Sequence, residues 1–434
     1  MGQSKVMTAG PKMAPDLAAV IVDPLAYGAW QPLLDAFATL RRDAPIALAE
    51  IPGYRPFWVV TRHADILKIS KDNATFLNNP ATVVLAPVMA EMFVAHLMNG
   101  SPHLVKSLVQ MDAPEHPKYR RLTQDWFMPA NLKTIEANIR TIAKASVDKM
   151  LAMGSECDFA RDVASMYPLH VVMELLGVPE SDEPLMLKLT QELFGGQDPD
   201  LNRTRAVQMS AEEATKIMAQ TVADFNAYFE AMAQDRRANP RQDLATIIAT
   251  GMIDGAPIPD YESAGYYTIV ATAGHDTTSA STAGAMWALA QDPEQFAKVK
   301  ADRTLLPGLI EEAIRWTTPV QHFMRTVAAD TEIGGVSMKA GDWLMLCYIS
   351  GNYDESVFPE PERFDATRSP NRHISFGSGA HQCLGLHLAR LEMKILFEEL
   401  LDRLDSVELA GEPKRSQSTF VGGPKTLPLR FKAA

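Results

Sequence analysis

Residues 371–385 read NRHISFGSGAHQCLG. Gly377, Gly379 and Gly385 fall within nine residues, so the backbone can turn tightly and lie close against something flat. Phe376 opens this turn and Cys383 closes it. The chain continues as LHLARLEMKILFEELLDRL, apolar at i, i+3 and i+4, which predicts a long amphipathic helix. Cys383 is therefore placed on a glycine-shaped loop at a helix N-terminus. Free N–H groups and the positive end of the helix dipole there favour a thiolate over a thiol. A thiolate on a rigid loop can be a metal ligand or a nucleophile.

The plainest alternative is a cysteine acting as a small buried hydrophobe. A zinc site needs further Cys or His ligands at short spacing, whereas Cys157 and Cys347 stand alone. A cysteine nucleophile needs a base fixed by a third group, and His381, two residues away on an extended loop, points elsewhere. One thiolate without partner ligands suits a macrocycle that fills the other positions of its own metal, which is haem.

Phe376-x-x-Gly379-x-His381-x-Cys383-x-Gly385 resembles the haem-binding signature of the cytochrome P450 superfamily, Phe-x-x-Gly-x-Arg/His-x-Cys-x-Gly. The resemblance implies a mainly α fold, the triangular P450 helical arrangement with a smaller β-rich region. It also implies haem b, with Cys383 as the ligand to iron and Phe376, Gly377, His381 and Gly385 around the cofactor.

The whole chain agrees with this class. It has 434 residues, 47% hydrophobic and 22% charged, with a mean hydropathy of −0.09, as in ordinary globular proteins. A formal charge of −12 argues against nucleic acid as a partner. Three cysteines without a pairing pattern suggest a reducing compartment. The sequence has no apolar run long enough to span a membrane and no signal-peptide core. A cytoplasmic monomer is expected, with residues 1–16 as a loose tail and 17–434 as one monooxygenase domain. Within the family, unanchored members are typically bacterial, and this length leaves no room for a fused reductase.

Residues 23–43 predict a helix, 47–61 a hairpin around Pro52-Gly53-Tyr54, and 63–71 a short helix. Residues 78–109 are apolar but aperiodic, which reads as loosely packed core or as a Met-rich lid over an apolar ligand. With haem in view the lid reading prevails. His116 and Arg120 are i, i+4 neighbours that would share a helix face. Paired cations aimed one way want an anion, and by resemblance they bind a haem propionate. Residues 129–251 read as almost continuously helical, with a polar break at 202–209.

Residues 259–290 predict one long helix whose middle, AGHDTT, is poor helix. Gly274 and two adjacent threonines weaken it, and a hydroxyl that bonds back one turn can bend it. This reads as a local opening beside which a small ligand fits. Ala273-Gly274-His275-Asp276-Thr277-Thr278 is similar to the family's central-helix motif. The resemblance puts Ala273 and Gly274 against the cofactor and makes Asp276 and Thr277 the acid–alcohol pair that delivers protons to dioxygen. His275 holds the variable position.

Glu312 and Arg315 are a helical i, i+3 pair. By resemblance they join Arg363 of Pro361-Glu362-Arg363-Phe364 in a scaffold behind the cysteine loop, while Arg325 and His373 are further propionate ligands. Val320, His322, Phe323 and Met324 should lie near the distal pocket. Asn352-Tyr353-Asp354 departs from the Asn-Arg-Asp usual in soluble bacterial members. The stretches TAGHDTT and FVGGPKTLPLRF, among others, are closest in appearance to the terpineol-hydroxylating branch.

The implied activity is insertion of one oxygen atom of O2 into a C–H bond. Two electrons would come from a 2Fe–2S ferredoxin served by an NAD(P)H-dependent reductase, docking near Lys118 and Arg121. The expected pocket residues are Val84, Met89, Met98, Ile269, Thr272, Ala273, Val320, Phe323 and Phe420. They are nearly all apolar and suit a small neutral hydrophobe, a terpenoid first and an aromatic or alicyclic hydrocarbon next. A peroxide-using haem–thiolate enzyme, a haem-based sensor and a haem-free cysteine hydrolase are the competing readings. The Asp276–Thr277 pair disfavours the first of them.

Overall fold

The computed structural model describes residues 10–207 and 209–434. Most of the expected tail, residues 1–9, lies outside them. Its remainder is packed rather than loose: Leu48 N–H donates to the Pro11 carbonyl and Met13 N–H to the Leu48 carbonyl, and Met13 is buried. Pairing to a strand satisfies the backbone there, so residues 11–13 belong to the folded body.

Helices dominate. The helix expected over 23–43 is two, Pro24–Ala29 and Gln31–Asp43, broken at Trp30 with φ 68°. Pro24 and Pro32 each sit in a first turn, where a missing N–H costs nothing. The hairpin forms as β1 (Ile46–Ala49) and β2 (Phe57–Val60), antiparallel with Leu48 opposite Trp58. The short helix His63–Lys71 follows as expected.

β3 (Phe76–Leu77), β4 (His322–Val327) and β5 (Trp343–Cys347) complete a five-stranded sheet of order β1-β2-β5-β4-β3. β5 runs parallel to β2 and antiparallel to β4, with Leu346 opposite Phe323. The sheet is apolar on both faces because hydrophobic clusters cover each of them. This is the smaller β-rich region.

The helical part supplies the largest core. Within 78–109 the chain forms α1 (Val88–Leu97) between irregular arms. Then come α2 (Glu115–Thr123), α3 (Pro129–Ala152), α4 (Met166–Leu176), α5 (Glu183–Phe194) and α6 (Ala211–Ala238). The central span is α7 (Asp260–Ala273) and α8 (Asp276–Gln291), interrupted at Gly274-His275. α8 is built largely of Ala, Gly, Ser and Thr, which lets neighbouring elements approach closely. α9 (Leu306–Thr317) carries Glu312 and Arg315, and α10 (Leu386–Arg403) leaves the cysteine loop. The chain end returns as the strand Pro428–Ala433, paired with Leu404–Leu409 and Glu156–Asp158.

Candidate active site

Glycine at the break in the central helix has a steric reason. A Cβ at position 274 would lie 2.8 Å from Val172 Cγ2, so only glycine lets α4 pack this close. The interruption leaves Thr277 Oγ1 donating to the Ala273 carbonyl at 2.8 Å. This bond holds the hydroxyl beside the opening instead of letting the helix close over it.

The cysteine loop is clamped from behind. Gly379 has φ 75°, and a Cβ there would lie 2.3 Å from the Ser70 carbonyl. Cys383 N–H donates to the Phe376 carbonyl at 2.8 Å, closing the turn. The Arg390 guanidinium stacks 4.6 Å from the Phe376 ring centroid. Arg390 also donates to both Glu311 oxygens, at 2.5 and 2.8 Å.

A cavity of about 650 Å³ joins the two features, with Cys383 and Thr277 both opening onto it. His116, Arg120, Arg325 and His381 line one side. Phe376, Gly377, Gly385, Ala273 and Gly274 also line it, as expected. So do Val84, Ile269, Thr272, Val320, Phe323 and Phe420.

Three expectations fail. Met89 and Met98 do not line the cavity, because α1 presents Ala90, Glu91 and Val94 to it and leaves Met89 60% exposed. His373 also faces away. Its Nε2 lies 3.1 Å from Glu311 Oε2, so it braces the cysteine loop against α9 and α10 rather than reaching an anion in the cavity. Arg363 is 65% exposed and meets only Glu360 by its side chain. Arg368 takes the place expected of Arg363, donating from Nε to Glu312 at 3.0 and 3.1 Å. Glu312 and Arg315 pair as expected, at 2.7 and 2.8 Å and fully buried. Arg315 in turn donates to the Asn352 and Pro361 carbonyls.

Asp276 does not line the cavity either; its Oδ1 lies 3.5 Å from His275 Nδ1. Its Oδ2 is buried without a partner, and burial pushes the carboxyl above its usual range, opposed by the charge on His275. Tyr353, at the departure from Asn-Arg-Asp, donates from its hydroxyl to the Trp316 carbonyl at 2.7 Å.

The cavity fits haem b. His116 Nε2 is buried with no partner, and the His116 and His381 rings lie 4.2 Å apart. Burial lowers His116, Arg120 and Arg325, and it drives His381 down to about 2 with help from the charges on His116, Arg325 and Arg120. Among the described residues no carboxylate forms an ion pair with His116, Arg120, Arg325 or His381. Arg120 and Arg325 thus stay charged without a counter-ion beside two neutral imidazoles that can donate, and two propionates are the matching anions. Burial also pushes the Cys383 thiol up, opposed by the Gly385 N–H and by Arg120 and Arg390. The helix terminus alone therefore does not make the thiolate, and a metal cation on Sγ would supply the missing stabilisation.

Sequence reasoning overlooked Glu311, Arg368, Arg390 and Glu392. Glu392 lies on α10 at the cavity edge with Oε2 buried and unpartnered, and burial pushes it well up. A charge on the otherwise apolar face of this helix was the available signal. Lys118, expected in a positive docking patch, pairs with Asp254, whereas Arg121 is exposed. No helix among the described residues is long and apolar enough to cross a membrane.

The family model for cytochrome P450 matches residues 90–431. A protein named cytochrome P450-terp, from a Pseudomonas species, is 49% identical over 418 residues, covering 96% of this chain and 98% of that protein. Linalool 8-monooxygenase from Pseudomonas putida is 32% identical over 393 residues, 91% of this chain and 94% of that one. The crystal structure of CYP108D1 from Novosphingobium aromaticivorans superposes with a TM-score of 0.90 at 56% identity, covering 98% of this chain and all of that chain. CYP268A2 of Mycobacterium marinum, in complex with pseudoionone, gives 0.87 at 32% identity over 98% of this chain and all of that one.

Proposed function

Because the chain belongs to the cytochrome P450 family, we propose that this monooxygenase hydroxylates a small neutral terpenoid with electrons from a ferredoxin. Haem b is its cofactor. In this reading Cys383 Sγ binds the iron, while His116, Arg120, Arg325 and His381 hold the propionates by charge-assisted hydrogen bonds. Haem supplies the activation of O2 and the oxidation of the C–H bond when bound.

The protein supplies placement, protons and dryness. Thr277 Oγ1 stands at the helix opening, where its hydroxyl can leave the Ala273 carbonyl and donate toward a ligand in the cavity. Asp276, held next to His275, restores that proton from behind and acts through Thr277 rather than by touching the ligand. Phe323, Phe420, Val320 and Val84 keep water out and hold a hydrophobe by shape. The chain acts as one domain that includes residues 11–13 as well as the expected 17–434, a monomer in the cytoplasm, and a 2Fe–2S ferredoxin docks on the face behind Cys383, with the exposed Arg121 as a contact.

One observation carries the reading: Cys383 and Thr277 open onto the same apolar cavity, which Arg120 and Arg325 also line without an ion-pair partner among the described residues. The names of linalool 8-monooxygenase and of the pseudoionone complex support a terpenoid over other hydrophobes. The Phe194–Phe420 and Phe323–Phe420 pairs, 6.0 and 5.4 Å apart, favour an aromatic ring as the second reading.

The test is an optical titration of the oxidised protein with monoterpenoid alcohols and with aromatic hydrocarbons. The expected result is a low-spin to high-spin shift with the terpenoids. A shift with aromatics alone would replace the substrate class, and no Soret band would remove the haem and the reading with it.

A further inference from the structure

His322 is wholly buried, points away from the cavity, and touches the segments that shape it. Its Nδ1 lies 2.8 Å from the Thr419 carbonyl, and the Leu85 N–H donates to its Nε2 at 3.0 Å. A carbonyl can only accept and an amide N–H can only donate. The ring is therefore the neutral tautomer with its hydrogen on Nδ1. Burial, which lowers this histidine to about 4, agrees with that assignment.

The two partners come from chain segments far from His322 in sequence. Leu85 belongs to the arm before α1, and Thr419 to the turn that carries Phe420; both segments line the cavity. Thr419 extends the link, since its N–H donates to Gln197 Oε1 at 2.8 Å and Gln197 lines a third wall. The Phe420 ring meets the edge of His322 at 5.6 Å and of Phe323 at 5.4 Å. Backbone bonds tie both segments to the His322 strand, from the Met324 N–H to the Val83 carbonyl at 2.9 Å and from the Gln321 N–H to the Phe420 carbonyl at 2.8 Å, and the His322 ring joins one segment to the other at Leu85 and Thr419.

We propose that His322 is a positioning residue for substrate selectivity: it clasps the 83–85 arm to the 418–421 turn and thereby fixes the Phe420 face against which a ligand packs. The proposal rests on reading the cavity as the substrate site. Loss of the clasp leaves the Leu85 N–H buried and unpaired and leaves the Thr419 carbonyl with only the Gln321 amide, 3.3 Å away, so the walls would move apart to hydrate them.

The experiment compares wild type with H322F, H322N and H322Q as haem-loaded proteins. Imidazole, too small to reach the walls, and a phenyl-substituted imidazole, which must press on them, are titrated optically alongside α-terpineol. Hydrogen exchange of the peptide containing Leu85 is followed in parallel. H322F should bind imidazole like wild type but the phenyl derivative about tenfold more weakly, with faster exchange at Leu85. H322N, whose amide can still serve Thr419, and H322Q, which can reach Leu85, should each recover part of the loss. Should H322F fail to fold, that partial, two-sided loss in H322N and H322Q carries the test. Equal weakening of both imidazoles would mean general damage and overturn the proposal, as would unchanged binding and exchange. A wild type that gives no shift with α-terpineol, yet shows the phenyl contrast against H322F, would sink the terpenoid reading and support the clasp.

Discussion

Thr277 Oγ1 donates to the Ala273 carbonyl across the gap between two halves of the central helix, 2.8 Å away. A hydroxyl bonded within its own backbone is ready for use without being fixed by a side-chain partner. Thr277→Ala removes it while leaving the cavity walls in place. Substrate-induced spin shift should stay within about twofold, and product per NADH should drop by at least tenfold, roughly the scale of one proton-transfer group. Peroxide should account for the missing electrons, and Thr277→Ser should restore most of the coupling. Unchanged coupling in the alanine variant would take the proton role away from Thr277.

Cys383 is the cysteine that opens onto the cavity; Cys157 and Cys347 do not line it. Cys383→Ser should abolish the thiolate-type spectrum of the reduced carbon monoxide complex. A surviving thiolate spectrum would mean that another residue binds the iron.

The buried network behind the cysteine loop separates two arginines that look alike in sequence. Arg368, 10% exposed, contacts Glu312, whose charge is fully buried. Arg368→Met should destabilise the holoprotein by about 3–5 kcal/mol, because it removes part of the compensation for that charge. Arg363→Ala should change stability by no more than ~0.5 kcal/mol. Chemical unfolding monitored by the Soret band distinguishes them, and the opposite order would restore Arg363 to the scaffold.

Glu311 sets an acid limit. Burial pushes its carboxyl up, but hydrogen bonds and charge from Arg390 and His373 outweigh this and hold it at about 2. A carboxyl depressed in the folded state contributes stability above its unfolded pKa, near 4.5. That contribution fades as pH falls from there toward about 2. Glu311→Gln should therefore flatten stability against pH over this window and lower it at neutral pH, as measured by denaturant midpoints at stepped pH. A slope identical to wild type would show that other carboxyls govern acid unfolding.

Much of the fold was legible because its signals are local. The hairpin at 47–61, the helix at 63–71 and the weak centre of the long helix all depend on neighbours within a few residues. So does the cysteine loop, whose glycines and following amphipathic pattern lie in one stretch. The break at Gly274 was visible as poor helix, but the need for glycine there, where a Cβ would lie 2.8 Å from Val172, comes from another element.

The sequence by itself determined the family, the ligand cysteine as an expectation, and the apolar character of the pocket. These follow from residue types at fixed spacing. Only the tertiary structure decided which way His373, Met89 and Met98 face and which arginine meets Glu312. It alone brought Leu85, His322 and Thr419 within hydrogen-bonding distance. Those outcomes depend on directions of side chains and on contacts between residues up to hundreds of positions apart. A buried charge takes whichever partner packing delivers, so Arg368 and not Arg363 compensates Glu312, although both stand in the same short run of sequence.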